Sequence, residues 1–320
     1  MHVAIVGMGA LGRVYGVRLA VRAGATVTFV VRSGTLITPL RLVRIDGDGA
    51  AEQLANPTVD TRIPDDADVI LLCVRAEQLD PSLDELLCPG LAMASAHAPA
   101  QNPVVPIVVL TPLMPQDIER LNRTHPKRIR AGMPGVVAHI TADGTCRYWL
   151  PKVAPTLIDA APPIPAAVEE LARALATAGF GGRLDLGVHE TNPATTISFI
   201  PLAMGVDVAG GIDPLLADKA LLRLSLDAVA EGLVLATRVG KTPAWIDLLA
   251  RFAGPTTLKI GIGLLRSRSP EVLAYVEEHF GRKLHAQNVV MARSIVALAR
   301  ERMMPATALR ELLRRLEQAP

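Results

Sequence analysis

Aromatic residues are scarce in this chain of 320 residues, and its charges are nearly balanced. It contains 2 Trp, 3 Tyr and 5 Phe, and 33 basic residues face 31 acidic ones, for a net charge of +2. Proteins that bind nucleic acids need clustered excess cations or a platform of aromatic rings on which bases stack. We therefore expect no nucleic acid among the partners of this protein.

Cysteine is also rare, and the three examples are Cys73, Cys88 and Cys146. An odd number without C-x-x-C spacing argues against a disulfide framework and against a structural zinc site. The first residues run directly into an apolar, strand-like segment, without the basic region and long apolar region of a secretory signal. These absences predict a cytoplasmic protein with no bound metal.

Uninterrupted apolar runs of membrane-spanning length are missing as well. Residues 86–116 carry no Asp, Glu, Lys or Arg, but six prolines interrupt them. Residues 191–206 form a second apolar stretch of only 16 residues, which holds two prolines. A spanning helix needs ~20 apolar residues and tolerates few helix-breaking prolines. We therefore expect no membrane among the partners.

The hydrophobic residues, and their order along the first half of the chain, predict a first domain of the α/β class. Half of all residues are hydrophobic, and domains of ~100–200 residues are usual, so the chain can bury two cores. In the first half, short apolar runs alternate with helical patterns, which is typical of a doubly wound parallel sheet of the Rossmann kind. The predicted strands include 3–6, 25–31, 69–74 and 104–110, and a helix is predicted over 12–23.

The second half predicts a different kind of domain. From residue 192 onward the apolar residues recur three and four positions apart, which predicts helices. These helices are expected over 215–239, 284–302 and 306–317. We therefore divide the chain into an α/β domain over 1–184 and an all-α domain over 185–320.

A glycine-rich motif lies between the first predicted strand and the first predicted helix. It reads Gly7, Met8, Gly9, Ala10, Leu11 and Gly12. In a G-x-G-x-x-G motif at this place, the first glycine permits a tight turn and the second lets a diphosphate approach the backbone, while the third allows close packing. An incidental glycine turn is the alternative. The position between strand and helix favours dinucleotide binding, with the diphosphate at the amino end of the helix.

The residues after the predicted strands indicate which dinucleotide binds. NAD-binding folds end the second strand with Asp or Glu, which holds the ribose hydroxyls. Here Arg32 follows that strand, and the next acid is Asp46. An arginine fork suits a 2′-phosphate, so NADP(H) is the expected cofactor. Arg75 follows another strand at the same edge and is expected to add a second cation, although either arginine could be an ordinary solvated residue.

Three segments of the chain resemble the ketopantoate reductases (2-dehydropantoate 2-reductases). They are the glycine motif with Tyr15 and Gly16, residues 27–32, and residues 72–78. The resemblance implies a Rossmann domain followed by an all-α domain of the 6-phosphogluconate dehydrogenase type, with NADPH as the cofactor.

The resemblance also implies roles for single residues. Arg32 would contact the 2′-phosphate, Arg75 would replace a lysine with a similar task, and Gln78 would line the adenosine side. Val74, which ends a predicted strand, and Thr111, which directly follows one, join the expected cofactor-binding residues.

The catalytic residues of that family are not retained. The family's proton-donating lysine corresponds to Asn192, an assisting asparagine to Thr196, and a glutamate to His285. Histidine titrates near neutrality, so His189 and His285 are candidate acids, although an inward histidine is more often a core residue. Asn192 could instead be the N-cap of a helix that begins at Pro193.

These observations predict an NADPH-dependent oxidoreductase that transfers hydride to the C=O or C=N carbon of a small substrate, either a 2-oxo acid or an imine. A C=N substrate reduces the demand for an acid, because an iminium ion already carries its proton. The alternative is a non-catalytic NADP(H)-binding sensor or subunit of a complex. A homodimer is expected, with the Leu- and Ala-rich second domain as the contact surface.

Overall fold

The computed structural model describes most of the chain, and its backbone divides into two compact units. The described residues are 1–35, 39–47, 49–87, 105–151, 154–242, 254–268, 270, 273–274 and 282–319. The first unit comprises Met1–Pro112 and Gln116–His189, and the second comprises Leu113–Pro115 and Glu190–Pro320. Cys88 and residue 104, where a predicted strand begins, lie outside the described residues.

An eight-stranded sheet forms the centre of the first unit. Its strands are β1 (His2–Val6), β2 (Thr26–Val30), β5 (Thr58–Asp60), β6 (Val69–Leu72), β7 (Ile107–Val109), β8 (Ile129–Met133), β11 (Leu157–Asp159) and β12 (Arg183–Asp185). Their order is β12-β11-β8-β7-β6-β1-β2-β5, and every neighbouring pair is parallel except β8 and β11. The chain reverses its direction of winding at β1, which creates the crevice where such sheets bind ligands. The predicted doubly wound sheet is confirmed.

The helices of the first unit connect these strands. They are α1 (Ala10–Ala23), α2 (Pro81–Leu87), α3 (Pro115–Thr124) and α4 (Ala166–Thr177), with a 3-10 turn over Ala76–Gln78. Helix α1 ends at Gly24, whose left-handed backbone (φ 66°) lets its amide bond back to the carbonyl of Leu19. Strands β6 and β7 are buried throughout, as their unbroken apolar sequences predict.

A second sheet, of four strands, covers one side of α1 and was not predicted as a separate layer. Its strands are β3 (Leu40–Arg44), β4 (Ala51–Leu54), β9 (Val137–Ile140) and β10 (Cys146–Trp149), in the order β4-β3-β10-β9. Arg18 of α1 is buried here and donates from Nη1 to Glu52 Oε1 at 2.8 Å and from Nε to the carbonyl of Ala178 at 2.8 Å. The hydroxyl of Tyr148 is a further partner of the Arg18 guanidinium.

The described part of the second unit is helical. Its helices are α5 (Val188–Ala209), which begins in the first unit, α6 (Ile212–Ala217), α7 (Lys219–Val239), α8 (Pro255–Arg268), α9 (His285–Glu301) and α10 (Thr307–Gln318). The prediction of one helix over 215–239 is wrong, because Asp218 interrupts it. The Asp218 carboxylate accepts bonds from the amides of Ala220 and Leu221 and so caps α7. Within the part of the chain that the structure describes, no helix is both long enough and apolar enough to span a membrane.

Candidate functional site

The glycine motif forms the turn that joins β1 to α1. Gly7 has a φ of +100°, a conformation that strongly favours glycine, and a Cβ there would lie 3.0 Å from the carbonyl oxygen of Cys73. A Cβ on Gly12 would lie 1.9 Å from the carbonyl oxygen of Gly7, so the helix can start this close to the strand only with glycine. Gly7 therefore makes the turn, and Gly12 permits the close packing.

The middle glycine faces open space. A Cβ on Gly9 would meet no atom within 4 Å. Gly9 is also the N-cap residue of α1, where no side chain caps the helix and no acid lies in the first turn. The first amides of a helix have no intrahelical acceptor, so this helix end presents donors and a positive dipole to an anion. The turn thus fits the diphosphate of a dinucleotide.

The remaining residues of the motif anchor the turn to the core of the first unit. Met8, Ala10 and Leu11 are partly buried and pack against the core of the first unit. Arg13, which the sequence reasoning missed, donates from Nε to the carbonyl of Met8 at 3.1 Å and from Nη1 to that of Gly144 at 3.2 Å. In the sequence, the position of Arg13 directly after Gly12 could have indicated a role at the turn. Arg13 ties the turn to the β9–β10 hairpin.

Arg75 and Gln78 lie in the loop after β6. The amide of Arg75 donates to Gln78 Oε1 at 3.0 Å, and the amide of Gln78 donates to the Arg75 carbonyl at 2.9 Å. The half-exposed guanidinium of Arg75 lies 2.9 Å from a carboxylate oxygen of Glu77. Gln78 therefore holds the loop, and Arg75 already has an acidic partner.

Val74 and Thr111 connect the ends of two neighbouring strands. The Thr111 hydroxyl donates to the Val74 carbonyl at 2.7 Å, and Thr111 is buried. This bond fixes the separation of the loops that follow β6 and β7. Thr111 thus shapes this edge of the sheet through its side chain, and Val74 through its backbone carbonyl.

Arg32 is exposed at the end of β2, at the same edge of the sheet. The pKa of the nearby Asp80 carboxyl is lowered, chiefly by the hydroxyl of Ser82, and the charge of Arg32 contributes. Arg32 therefore lies near the loop that carries Arg75 and Gln78.

An acid that the linear sequence did not reveal also lies near the end of β2. Asp60 of β5 is the register partner of Val30, although it is thirty residues away along the chain. Its Oδ1 accepts bonds from the amides of Thr61 and Arg62 at 2.6 and 3.0 Å, so that oxygen is used by its own turn. Asp60 is the residue that would favour NAD(H) at this edge.

Asn192 and Thr196 lie near the start of α5. Asn192 is buried, and its Oδ1 accepts from the amide of Leu113 at 3.2 Å and from the hydroxyl of Thr196 at 3.4 Å. The alternative of an N-cap at Asn192 is wrong, because α5 begins before it and holds Pro193 inside. The side-chain oxygen serves Leu113 instead of capping its own helix.

His285 begins α9 and pairs with a buried carboxylate. Its Nδ1 lies 3.2 Å from Asp207 Oδ2, and the Asp207 side chain is 1% exposed against 32% for His285. Asp207 also accepts from Asn288 Nδ2 at 2.9 Å. Asp207 follows Asn192 on α5 by about four turns, or ~22 Å at the rise of a helix. The structure therefore does not bring His285 together with Asn192 and Thr196.

His189 lies in the first unit, where its Nδ1 is 3.4 Å from Asp159 Oδ1. Its side chain is half exposed. Among the residues that the structure describes, no cluster of His, Cys, Asp or Glu suits a metal ion.

The strand order and the glycine turn of the first unit define a Rossmann fold, and a helical region follows it in the chain. The family described as ketopantoate reductase PanE/ApbA matches residues 3–118, which is 116 of the 320 residues. This match confirms the resemblance that the glycine motif and its neighbouring segments indicate. No curated protein matches the sequence of this chain significantly.

Solved structures share the fold over the whole chain. A 2-dehydropantoate 2-reductase from Geobacter metallireducens has 18% identity and a TM-score of 0.71, with 100% of both chains covered. A dimeric ketopantoate reductase from Staphylococcus aureus has 13% identity and a TM-score of 0.63, covering 100% of this chain and 98% of the other. D-mandelate dehydrogenase in complex with NADH has 13% identity and a TM-score of 0.58, covering 99% and 98%.

Proposed function

We propose that this protein is an NADP(H)-dependent oxidoreductase of the ketopantoate reductase family. It would transfer hydride to the C=O or C=N carbon of a small substrate, a 2-oxo acid or an imine. The glycine turn carries the proposal, because Gly7 and Gly12 admit no side chain and Gly9 leaves open space where a diphosphate would lie. Relatives of this fold are named as 2-dehydropantoate 2-reductase and as a dehydrogenase in complex with NADH.

The residues of the first unit have distinct tasks in this proposal. The amides at the start of α1 bind the diphosphate. Arg32 binds the 2′-phosphate, and Arg75 adds a second cation once it exchanges Glu77 for the phosphate. Gln78, Val74 and Thr111 keep the two loops in place. When bound, the reduced cofactor supplies the hydride.

The reaction also needs a polar group that orients the substrate and a group that supplies a proton. Asn192 and Thr196 are uncharged, so they can orient a substrate and cannot replace a cationic acid. His285 and His189 are the candidate proton donors. An imine needs the donor least, because an iminium ion is already protonated.

The proposal includes an oligomeric state and a location for this protein. A homodimer is proposed by analogy with the relative described as dimeric. The cytoplasmic location predicted from the cysteine pattern stays a prediction.

The proposal is tested by following NADPH absorbance with the purified protein and a panel of 2-oxo acids and cyclic imines. Oxidation of NADPH that depends on one of these substrates is the expected result. Saturable NADPH binding with no turnover of any panel member would overturn the proposed reductase activity. It would favour the alternative of a non-catalytic NADP(H)-binding sensor. The Gly9→Ala variant is the control, because it should lose turnover together with cofactor binding.

A further inference from the structure

The loop after β6 reaches the glycine turn within the first unit. A Cβ on Gly7 would lie 3.0 Å from the carbonyl oxygen of Cys73 and 3.2 Å from Cγ1 of Val74. The amide of Cys73 also donates to the carbonyl of Val6, the last residue of β1, at 2.9 Å. Arg75 follows these contacts directly in the chain. Arg75 and its ion-pair partner therefore belong to the edge of the sheet that carries the glycine turn.

Glu77 places an enclosed carboxylate against the guanidinium of Arg75. Nε of Arg75 lies 2.9 Å from Oε1 of Glu77, and the two side chains are 50% and 16% exposed, respectively. Both carboxylate oxygens are buried, and neither accepts a well-aligned hydrogen bond from a residue that the structure describes. A buried carboxylate is costly without a compensating partner. Glu77 therefore depends on Arg75 for its positive charge.

Arg32, the other cation at this edge, lies near a carboxylate that has other donors. Asp80 is exposed, and its Oδ1 accepts from the hydroxyl of Ser82 at 2.5 Å and from the amides of Ser82 and Leu83 at 2.9 and 3.2 Å. The pKa of Asp80 is lowered first by the Ser82 hydroxyl, and the charge of Arg32 makes the smallest contribution. Arg32 can thus bind a phosphate without leaving a buried acid behind, whereas Arg75 cannot.

We propose that Glu77 is a specificity-determining residue that competes with the 2′-phosphate of NADP(H) for Arg75. The inference rests on the proposed function and deepens it. The phosphate gains Arg75 only by drawing the guanidinium away from Glu77, which leaves an enclosed carboxylate without its cation. NAD(H) carries no phosphate at this place and leaves the ion pair intact. Glu77 therefore lowers the affinity for NADP(H) selectively and narrows the preference that Arg32 creates.

Titrations of the full chain with NADPH and with NADH measure this competition. Glu77→Gln keeps the size of the side chain and removes its charge, so Arg75 is available to the phosphate. The affinity for NADPH should rise about 5-fold or more, since even an exposed ion pair can contribute a factor of ~5 and this carboxylate is enclosed. The affinity for NADH should stay within ~2-fold of the native value, because NADH lacks the phosphate. The released guanidinium is half exposed and solvated, so the variant should unfold at the native temperature.

A double variant shows whether the gain depends on Arg75. Arg75→Gln combined with Glu77→Gln removes both charges and leaves neither of them unpaired. Its affinity for NADPH should return to the native value or fall below it, because the gain requires the arginine. A double variant that keeps the gain over the native protein would show that Glu77 repels the phosphate directly, and it would overturn the competition for Arg75.

A matched substitution and smaller probes complete the test. Asp46→Asn removes a carboxylate that pairs with Arg44 at 2.8 Å at the end of β3, and it should leave both affinities unchanged. Adenosine 2′,5′-bisphosphate, which lacks the nicotinamide, should show the same gain in Glu77→Gln as NADPH, and adenosine 5′-monophosphate should show none.

Two further results separate this inference from the proposed function. An unchanged ratio of the NADPH and NADH affinities in folded Glu77→Gln would overturn the inference and leave the proposed cofactor site standing. If the native protein binds neither dinucleotide, the proposed function fails, and the inference fails with it.

Discussion

Gly9 and Gly12 of the β1–α1 turn should respond differently to replacement by alanine. Gly9→Ala should leave the free energy of unfolding within ~0.5 kcal/mol of the native value. Its backbone is extended (φ −72°, ψ −171°), and a Cβ meets nothing within 4 Å. At an N-cap, the usual polar residues lose ~1 kcal/mol on replacement by alanine and only a few tenths on replacement by glycine, so glycine to alanine costs ~0.5–1 kcal/mol. The lower entropy of the unfolded alanine chain offsets ~0.4–1 kcal/mol of that cost.

Gly12→Ala should destabilise the fold itself. The new Cβ would lie 1.9 Å from the Gly7 carbonyl oxygen, whereas ordinary contacts are ~3.5 Å, so the helix and the turn must separate by more than ~1 Å. Overpacking of this kind costs about 1–3 kcal/mol. Chemical denaturation with urea measures both variants.

Gly9→Ala, which should keep its stability, should nevertheless lose affinity for NADPH. Gly9→Ala should weaken NADPH binding about 10-fold or more, because its methyl group fills the space that the diphosphate needs. Gly261→Ala, at an open glycine of α8 in the second unit, is the matched control and should bind NADPH normally. A Gly9→Ala protein that folds and binds NADPH with native affinity in a fluorescence titration would refute this account of the turn.

Three further results follow from the described contacts. Arg32→Asp should weaken NADPH binding about 10–100-fold while NADH binding is maintained or improves, as parallel titrations would measure; an unchanged ratio of the two affinities would remove Arg32 from the site. Arg18→Met should lower the free energy of unfolding by about 3 kcal/mol, because Glu52 and the Tyr148 hydroxyl lose a buried partner; urea denaturation would show a loss below ~1 kcal/mol if the pair were unimportant. The pKa of Asp143 is lowered to about 2, first by the hydroxyl of Thr141, so its contribution to stability is present above the unfolded value of ~3.9 and is lost as pH falls through about 2. The difference in unfolding temperature between native protein and Asp143→Asn should therefore be constant above pH 5 and shrink below pH 4, and a difference that persists to pH 2 would contradict this assignment.

The elements that depend on neighbouring residues could be predicted from the sequence. The turn at residues 7–12 follows from glycine spacing between an apolar strand and a helix. Strands β6 and β7 follow from continuous apolar runs, and α9 and α10 from helical periodicity. In each case the local pattern and the final packing agree.

The elements that depend on distant residues could not be predicted. Strand β3 alternates apolar and charged residues and pairs with β10, about a hundred residues later, so its sequence alone gives a weak signal. Asp218 lies inside an apolar periodic stretch, and its capping bonds decide the break. The same holds for Asp207, whose pairing with His285 joins residues 78 positions apart.

The preference between NADP(H) and NAD(H) also depends on residues that are distant in the sequence. The absence of an acid directly after β2 is a local feature and favours NADP(H). Asp60 reaches that region only because β5 pairs with β2 in the sheet. Arg32, which favours NADP(H), and Asp60, which favours NAD(H), therefore both lie near the end of β2. Only Arg32 is close to that strand end in the sequence.

The central claim is that the first unit binds a nicotinamide dinucleotide at the glycine turn. Parallel calorimetric titrations of the native protein and of Gly9→Ala with NADPH and NADH test it most directly. The account predicts saturable binding of NADPH to the native protein, weaker binding of NADH, and a large loss of both in Gly9→Ala. The absence of saturable binding of either dinucleotide to the folded native protein would contradict it.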